Sequence, residues 1–321
     1  MVHSSWKQNE HPLRTMNHLS PSPKKLIVIA GPTAVGKTAA AIKLAQQLKT
    51  EIISADSRQF YREMSIGTAK PNADELRQVK HHFIDSHSIT ENFTVGDFEK
   101  QALQLLDELF KTNDHVIMVG GSGLFIQAVT QGFDDLPTVD PEIREKLNRE
   151  LVEKGIEHLQ CELKEADPDY YHQVDLNNPQ RLIRALEVFQ ATGKPFSSYR
   201  KAAVNVRPFE SIKIALNLPR EVLYDRINRR VDIMVEQGLA EEVRSFLPYR
   251  HLNALNTVGY SELFDYFDGK TDLGTAINLI KQNTRRFAKR QLTWFRKDKD
   301  MKWMMADDPH LINEIIKEAT Y

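Results

Sequence analysis

The sequence predicts an α/β protein: a parallel sheet flanked by helices, with an all-helical insertion domain and a helical C-terminal region. Over residues 25–133, short apolar runs of buried-strand length alternate with helical segments, as in sheets that are covered on both faces. Residues 134–204 are then charged and helical, without a convincing strand, and strand character returns in "SIKIALNL", residues 211–218. A helical stretch of this length between two sheet elements indicates an insertion into the sheet domain.

The elements of the sheet domain can be followed in chain order. "LIVIA", residues 26–30, predicts a buried strand, and a Gly-rich turn leads from it to an Ala-rich helix over 37–48. "EIISADS" predicts a second strand that ends at Asp56, and "HHFIDS" a weaker third. "TVGDFEKQALQLLDELFKT" has apolar residues at helical spacing and leads into another buried strand, "HVIMVGGSG". After Pro219 long charged helices dominate and end near Lys299.

The predicted organisation has three parts: a disordered leader over 1–24, a sheet domain built from 25–133 and 205–321, and the helical insertion over 134–204. The leader is polar, holds two prolines near its end and lacks an apolar signal core. No apolar run approaches the ~18 residues that span a bilayer, so we expect no membrane partner. We predict a cytoplasmic monomer.

Composition restricts the partners and the kinds of site. The net charge of the 321 residues is −1, so a nucleic acid would have to be bound by a local basic face. Cys161 is the single cysteine, which excludes an internal disulfide and any multi-cysteine zinc site. We interpret it as a small semi-buried residue in a reducing cytosol. His81 and His82 have no ligand partner at helical or finger spacing, and we interpret them as structural.

The segment "GPTAVGKT", residues 31–38, fits the phosphate-binding template G-x-x-x-x-G-K-[ST] between a strand and a helix. Backbone N–H groups at a helix N-terminus bind phosphate, and Gly31 and Gly36 permit the backbone to curl around the anion. Lys37 would place a cation on the outer phosphates, and the Thr38 hydroxyl would ligate Mg²⁺. Such a loop normally binds a nucleoside triphosphate, and a Gly-rich turn without a ligand is the alternative.

Two polar residues follow neighbouring strands at the same predicted edge of the sheet. Asp56 ends the second strand and should face the crevice above the phosphate loop, as a general base or Mg²⁺ ligand or else as a helix cap. Ser122, in "VGGSGLF", either caps the next helix or bonds a ligand across the crevice. The strand before Ser122 ends without the acid that helps many ATPases to hold Mg²⁺. Leu124 breaks the G-x-S-x-G pattern of serine hydrolases.

Basic residues are concentrated near the C-terminus with aromatic residues between them. These basic residues lie in two segments, "DRINRR" and "KQNTRRFAKRQLTWFRKDK". The aromatic residues among them are Phe287, Trp294 and Phe295. Charge runs are often only solvated helix faces. So dense a cluster in a chain that is neutral overall also fits a nucleic-acid footprint.

Seven ordered segments resemble one family, the tRNA dimethylallyltransferases, or tRNA isopentenyltransferases, of the bacterial type. They cover most of residues 26–300 and read "GPTAVGKT", "ISADSRQFY" with the IGTAKP loop (66–71), "GGSGLF", "DPEIR", "NNPQRLIRALEVF", "VGYSELFDY" and "RRFAKRQLTWFR". The resemblance implies a P-loop NTPase-like sheet domain. It also implies transfer of a dimethylallyl group from its diphosphate to the N6 amine of the adenosine 3′ of the anticodon in tRNA, with diphosphate released.

The resemblance also implies roles for single residues, with Asp56, Lys37 and Ser122 in catalysis and Asp56 as the general base on the adenine amine. Diphosphate and Mg²⁺ would be bound through Thr38 and its loop, and the full diphosphate set is Gly31, Pro32, Thr33, Ala34, Val35, Gly36, Lys37, Thr38, Arg226 and Arg230. Residues expected to contact tRNA are Asp56, Ser57, Arg58, Gln59, Ser122, Arg144, Gln180, Arg181, Leu182, Ile183, Arg184, Arg286, Lys289 and Arg290.

Two departures from the family pattern lie in "GGSGLF", where the family usually has Gly-Gly-Thr and a tyrosine further on. Ser122 keeps a hydroxyl, whereas Phe125 has no phenolic group. Two other functions fit parts of the pattern. One is a P-loop kinase that acts on a nucleotide or small metabolite, and the other is a non-catalytic RNA-binding module with a regulatory P-loop.

Overall fold

A computed structural model describes residues 23–132, 136–200 and 205–320. Its centre is a six-stranded sheet in which every pair of neighbouring strands is parallel, in the order β3-β2-β4-β1-β5-β6. The strands are β1 Lys25–Ala30, β2 Ile52–Ser54, β3 His81–His82, β4 His115–Gly120, β5 Glu210–Asn217 and β6 Lys302–Met305. The predicted parallel sheet is therefore confirmed.

The central strands are apolar along their length because helices cover both faces of the sheet. β1 pairs with β4 on one side and with β5 on the other. Its residues alternate between two hydrophobic clusters: Ile27 and Ile29 pack on one face, Leu26 and Val28 on the other, and all four are fully buried. This double burial explains the continuous apolar run in the sequence.

Four helices accompany the first half of the sheet: α1 Lys37–Leu48, α2 Ala73–Gln78, α3 Val95–Leu109 and α4 Gly123–Gln131. The predicted bounds of α1 are confirmed. α3 begins where Thr94 and Asp97 form a capping box, in which each side chain accepts the backbone N–H of the other. Its apolar stripe, which includes Phe98 and Leu106, packs on the same face of the sheet as Leu26.

Residues 136–200 form helices that share a hydrophobic cluster of their own. They are α5 Pro141–Lys154, α6 Ile156–Ala166, α7 Pro168–Tyr171 and α8 Pro179–Thr192. Three of them begin with proline, which fits the first turn because its missing N–H would have no partner there. Leu147, Leu159 and Leu186 are buried between these helices. Cys161 is exposed on α6, so the expected semi-buried position was wrong; it lies on the outer face, away from those leucines.

The predicted domain boundaries fall at or beside the gaps at 133–135 and 201–204, and residues 1–22 of the predicted leader lie outside the described residues. The three-part division stays a prediction.

The C-terminal region contains α9 Arg220–Glu236, α10 Leu239–Ser245, α11 Tyr260–Phe267, α12 Leu273–Phe295 and α13 Leu311–Thr320. The sequence interpretation was incomplete here, because it ended the ordered elements near Lys299. A further strand, β6, pairs with β5, and α13 packs against α1. β6 has only four residues and lies at the sheet edge with most side chains exposed, so it lacks the apolar signature of the inner strands. None of the described helices has the length and hydropathy of a membrane span.

Candidate active site

Four loops meet above the carboxyl ends of the central strands. They follow β1, β2, β4 and β5, which are neighbours in the sheet, and they carry the phosphate loop, Asp56, Ser122 and the start of α9 respectively. Ligands of open parallel sheets bind at this edge because the loops there diverge around a crevice. The topology thus brings together residues that are up to about two hundred positions apart in the chain.

The phosphate loop, residues 31–38, has the backbone of an anion cradle. Gly31 and Gly36 adopt φ values of 141° and 106°, and Ala34 also has positive φ. A β-carbon on Gly31 would lie 2.7 Å from the Leu216 carbonyl oxygen, so the loop can approach β5 only with glycine at this position. α1 begins directly after Gly36, and its first amides point at the loop.

Lys37 holds a largely buried ammonium group beside the loop. Its Nζ donates to the Pro32 carbonyl oxygen at 2.8 Å, which folds the side chain back over the loop. Burial lowers the pKa of Lys37 to about 8; Asp56 partly offsets this effect, and Arg230 adds to it. A bound anion would stabilise the protonated, positively charged form of Lys37. Lys37, Asp56 and Arg230 therefore face one crevice.

Both arginines predicted on α9 lie at the phosphate loop. Arg226 Nη1 donates to the Val35 carbonyl oxygen at 3.4 Å. Burial lowers the pKa of the Arg230 guanidinium, while Glu75 and Asp56 act in the opposite direction. Thr38 occupies the second position of α1 and makes no side-chain hydrogen bond to any described residue. Among the described residues, the crevice thus holds Lys37, Arg226 and Arg230 near the Thr38 hydroxyl.

Asp56 belongs to a turn, which we call the Asp56 turn, residues 56–59. Its Oδ1 accepts the Arg58 backbone N–H at 3.1 Å, and its carbonyl oxygen accepts the Gln59 N–H at 3.2 Å. β2 leads into turns rather than a helix, so the helix-cap alternative is wrong. The carboxylate is half-buried, and its own turn holds it at the crevice edge.

Ser122 bonds across the crevice and does not cap α4. Its Oγ accepts the Ser57 backbone N–H at 3.0 Å and donates to Ser57 Oγ at 3.2 Å. The loop after β4 therefore fixes the Asp56 turn directly.

Phe125, one turn into α4, is buried against Phe60 and Phe98. The centroid of its ring lies 5.4 Å from that of Phe60 and 5.2 Å from that of Phe98, so the Phe125 ring has a packing role.

Two further side chains of the Asp56 turn already have protein partners. Gln59 Nε2 donates to the carbonyl oxygens of Thr68 and Ala69, both at 3.2 Å, and its Oε1 accepts from Ser54. Both amide hydrogens of Gln59 are therefore taken, which leaves only acceptor capacity for a ligand. Arg58 Nη2 donates to the Asn256 carbonyl oxygen at 3.1 Å, and burial lowers the pKa of its guanidinium.

Gln291 on α12 is a site residue that sequence reasoning missed. Its Oε1 accepts the Thr33 N–H and its Nε2 donates to the Gly121 carbonyl oxygen, each at 2.9 Å. One buried side chain thus ties the phosphate loop to the loop after β4. The sequence does carry a signal, because Gln291 is a polar residue on the apolar stripe of α12, between Ala288 and Phe295.

The predicted tRNA contacts on the insertion divide into exposed and buried residues. Leu182 and Ile183 are fully buried in the helical cluster, so their side chains cannot contact RNA and the prediction was wrong for both. Arg144 stays partly exposed while it pairs with the buried Glu187 at 3.1 Å. Its other nitrogen donates to Gln180 Oε1 at 3.0 Å. Arg181 is exposed, and Arg184 also pairs with Glu187, at 2.5 Å.

The basic part of α12 presents its predicted residues to solvent. Arg286, Lys289 and Arg290 are exposed, and the Arg290 guanidinium lies 5.6 Å from the Phe287 ring centroid. Next to them, a shallow depression of about 220 Å³ is lined by Lys289, Arg290, Thr293, Trp294 and Lys297. Exposed cations can contact the phosphates of a nucleic acid, and half-exposed aromatic rings beside them can stack on its bases. This face therefore fits the predicted footprint.

The pair His81 and His82 forms β3, and the His82 Nε2 lies 2.5 Å from a Glu51 carboxylate oxygen. The histidines therefore take part in the sheet, as the structural interpretation expected.

Comparison with known proteins identifies the family. The model of the IPP transferase family matches residues 59–298. The tRNA dimethylallyltransferase of Christiangramia forsetii is 59% identical over 88% of this chain and 94% of its own. That of Flavobacterium johnsoniae is 51% identical over 92% and 98%.

Solved structures of tRNA-modifying transferases also match this chain. The full-length tRNA isopentenylpyrophosphate transferase of Bacillus halodurans matches with a TM-score of 0.67 and 38% identity, over 92% of this chain and 98% of the other. A eukaryotic dimethylallyltransferase acting on tRNA matches with a TM-score of 0.74 and 26% identity, over 92% and 77%. The P-loop sheet fold inferred from the sequence is confirmed, and this chain belongs to the IPP transferase family.

Proposed function

We propose that this chain transfers a dimethylallyl group from dimethylallyl diphosphate to the N6 amine of the adenosine immediately 3′ of the anticodon in tRNA. The observation that carries the proposal is one crevice that holds both halves of the chemistry. Lys37, Arg226 and Arg230 surround an anion-binding loop, and the Asp56 carboxylate faces them. The relatives named above are tRNA-modifying prenyltransferases, and the crevice fits that reaction.

The cationic side of the crevice suits a departing diphosphate. As the bond between the allylic carbon and the bridging oxygen breaks, negative charge grows on the diphosphate and positive charge on the allyl group. The loop amides, Lys37 and the two arginines are fixed around the leaving group before the reaction, so they stabilise its charge without reorganisation. The interaction of Lys37 with the departing diphosphate is the strongest in this proposal, because the buried Lys37 ammonium group has no carboxylate within salt-bridge distance among the described residues.

The opposite side suits removal of a proton. When the adenine N6 forms its new bond to the allylic carbon, it must lose one hydrogen, and the Asp56 carboxylate accepts it in this proposal. Asp56 Oδ1 already accepts the Arg58 N–H, which orients the carboxylate and leaves its other oxygen for the amine. The base must leave the anticodon stack to reach this oxygen, at a cost of a few kcal/mol.

Mg²⁺ fits the donors present, because the Thr38 hydroxyl lies next to Lys37 at the start of α1 and has no protein partner among the described residues. Diphosphate oxygens would complete the coordination of an ion bound there. Such an ion would neutralise charge on the leaving group.

For tRNA, two surfaces are available in this proposal. Arg181 and the partly exposed Arg144 lie on the helical insertion, and Arg286, Lys289 and Arg290 lie on α12. Phosphate contacts from such cations position an RNA without reading its sequence. The target base would be selected in the crevice.

The first experiment is the transfer assay. Purified protein is incubated with dimethylallyl diphosphate, Mg²⁺ and unmodified tRNA, with labelled ATP in a parallel reaction, and the nucleosides are analysed by mass. Prenylated adenosine at the predicted position supports the proposal. Transfer of label from ATP to an acceptor, with no prenylated nucleoside, would reject it in favour of a kinase.

Asp56→Asn tests the general base. The substitution keeps the size of the side chain and its acceptor for the Arg58 N–H, but it removes the basic oxygen. We expect kcat to fall by roughly 10²–10⁴-fold with the Kd for tRNA unchanged. Asp107→Asn, an exposed carboxylate on α3, is the matched control. Full transfer by Asp56→Asn would show that another group removes the proton.

A further inference from the structure

A carboxylate from another part of the chain binds the start of the IGTAKP loop and Ser65, the residue before it. Glu242 lies on α10, and its Oε2 accepts the backbone N–H groups of Ser65 and Ile66 at 3.0 and 2.7 Å. Its Oε1 accepts the Gly67 N–H at 3.0 Å and the Tyr260 hydroxyl at 2.6 Å. In the part of the chain that the structure describes, no cation pairs with Glu242, so these four donors alone compensate its charge.

The same loop supports the Asp56 turn. Gln59 Nε2 donates to the Thr68 and Ala69 carbonyl oxygens, and the Gln59 backbone N–H donates to the Asp56 carbonyl oxygen. Ala69 has a positive φ of 50°, a conformation that is unfavourable for alanine and has to be held by its surroundings. Hydrogen bonds and the backbone of the loop between them therefore connect Glu242 to Gln59 and to the backbone of the Asp56 turn.

The donor Tyr260 is itself fixed. Its ring is fully buried among the C-terminal helices, and burial together with the Glu242 carboxylate raises the pKa of its hydroxyl far above the ordinary value. The hydroxyl therefore stays protonated and can only donate to Glu242. A second link lies nearby, because Arg58 donates to the carbonyl oxygen of Asn256, four residues before Tyr260.

We propose that Glu242 is a positioning residue for the transfer reaction: by binding the backbone of the IGTAKP loop, it sets Gln59 and through it the Asp56 carboxylate. The inference rests on the proposed function. Glu242 does not touch the phosphate loop in the described contacts, so its effect is on the chemical step and the base, and not on the diphosphate.

Glu242→Gln tests this role because it keeps the size of the side chain but replaces one acceptor oxygen with an NH₂ group. That NH₂ must then face at least one backbone N–H, so part of the loop loses its acceptor. We expect kcat to fall on the order of tenfold, since small misplacement of a reacting group is costly. The KM for dimethylallyl diphosphate should stay within about twofold, because the phosphate loop is unchanged.

Two controls separate positioning from loss of stability. Glu241→Gln changes an exposed neighbour whose side chain makes no hydrogen bond to a described residue, and it should behave as the wild type. Val243→Ala removes methyl groups that are fully buried on the same helix, so it lowers the free energy of unfolding but leaves the carboxylate and its donors in place. We expect Val243→Ala to keep its kcat per folded enzyme, with folded sites counted by diphosphate binding.

The outcomes are distinct. A lower kcat in Glu242→Gln with full activity in both controls supports the inference. An unchanged kcat in Glu242→Gln, or equal losses in Glu242→Gln and Val243→Ala, would overturn it. If the wild type transfers no prenyl group, then the proposed function fails, whatever the variants do.

Discussion

Lys37→Met should stabilise the folded protein while it abolishes prenyl transfer. The Lys37 pKa falls from 10.5 to about 8, mainly because the ammonium group is buried. Each tenfold change in proton affinity corresponds to about 1.4 kcal/mol, so the charged amine carries roughly 3 kcal/mol of unfavourable free energy at neutral pH. The hydrogen bond to the Pro32 carbonyl oxygen offsets about 1 kcal/mol of this. We therefore expect Lys37→Met to gain about 2 kcal/mol at pH 7.

The sign of the pH dependence follows from the lowered pKa. Below pH 8 both folded and unfolded chains hold the proton, and the penalty on the folded state is complete. Between about pH 8 and 10.5 only the unfolded chain keeps the proton, so the wild type becomes more stable as the pH rises. The advantage of Lys37→Met should therefore shrink across this interval and be close to zero near pH 9.5.

Urea unfolding followed by circular dichroism at pH 7.0 and 9.5 measures both quantities. Lys43→Met, on the exposed side of the same helix, is the control for the effect of a Lys-to-Met change itself. A Lys37→Met protein that is less stable than the wild type at pH 7 would refute the reasoning. So would a stability difference that does not change with pH. In the wild type, the KM for dimethylallyl diphosphate should rise above pH 8, as Lys37 loses its charge before the substrate binds.

Two further predictions concern the basic face and the loop after β4. Lys289→Ala with Arg290→Ala should weaken tRNA binding and reduce the slope of log Kd against log salt by about 1.5, as two phosphate contacts are lost. Lys111→Ala, which removes an exposed cation from the turn between α3 and β4, should leave the slope unchanged. An unaltered slope in the double variant would reject this face as the footprint. Gly123→Ala would place a β-carbon against the Trp294 indole, so either this ring or α12 must shift. We expect a loss of about 1–3 kcal/mol in unfolding free energy and altered Trp294 fluorescence; a wild-type spectrum and stability would show that the contact is not tight.

The phosphate loop, the four inner strands and α1 could be predicted from the sequence because their signals are local. A glycine template between a strand and a helix, and apolar runs of strand length, depend on residues within about ten positions. Thr94, the N-cap of α3, and Pro141, the first residue of α5, are local signals of the same kind. β6 was missed because an exposed edge strand of four residues has no such signal.

The role of Ser122 could not be decided in this way. Serine before a helix is a common cap, and only the neighbouring positions of β2 and β4 in the sheet bring its hydroxyl to Ser57, 65 residues earlier. For Leu182 and Ile183, the resemblance predicted contacts with tRNA that the fold does not allow. They lie within a matching segment, but the packing of α8 turns their side chains into the helical cluster and away from solvent.

The sequence by itself determined the chemistry that this chain carries: a phosphate loop, a carboxylate after the second strand and a basic C-terminal helix. Tertiary structure decided how those groups are held. Gln291 reaches the phosphate loop across 258 residues, and Glu242 reaches the IGTAKP loop across about 175. Hydrogen bonds of this range leave no periodic trace in the chain, because each depends on two segments that meet only after the sheet and its helices have packed.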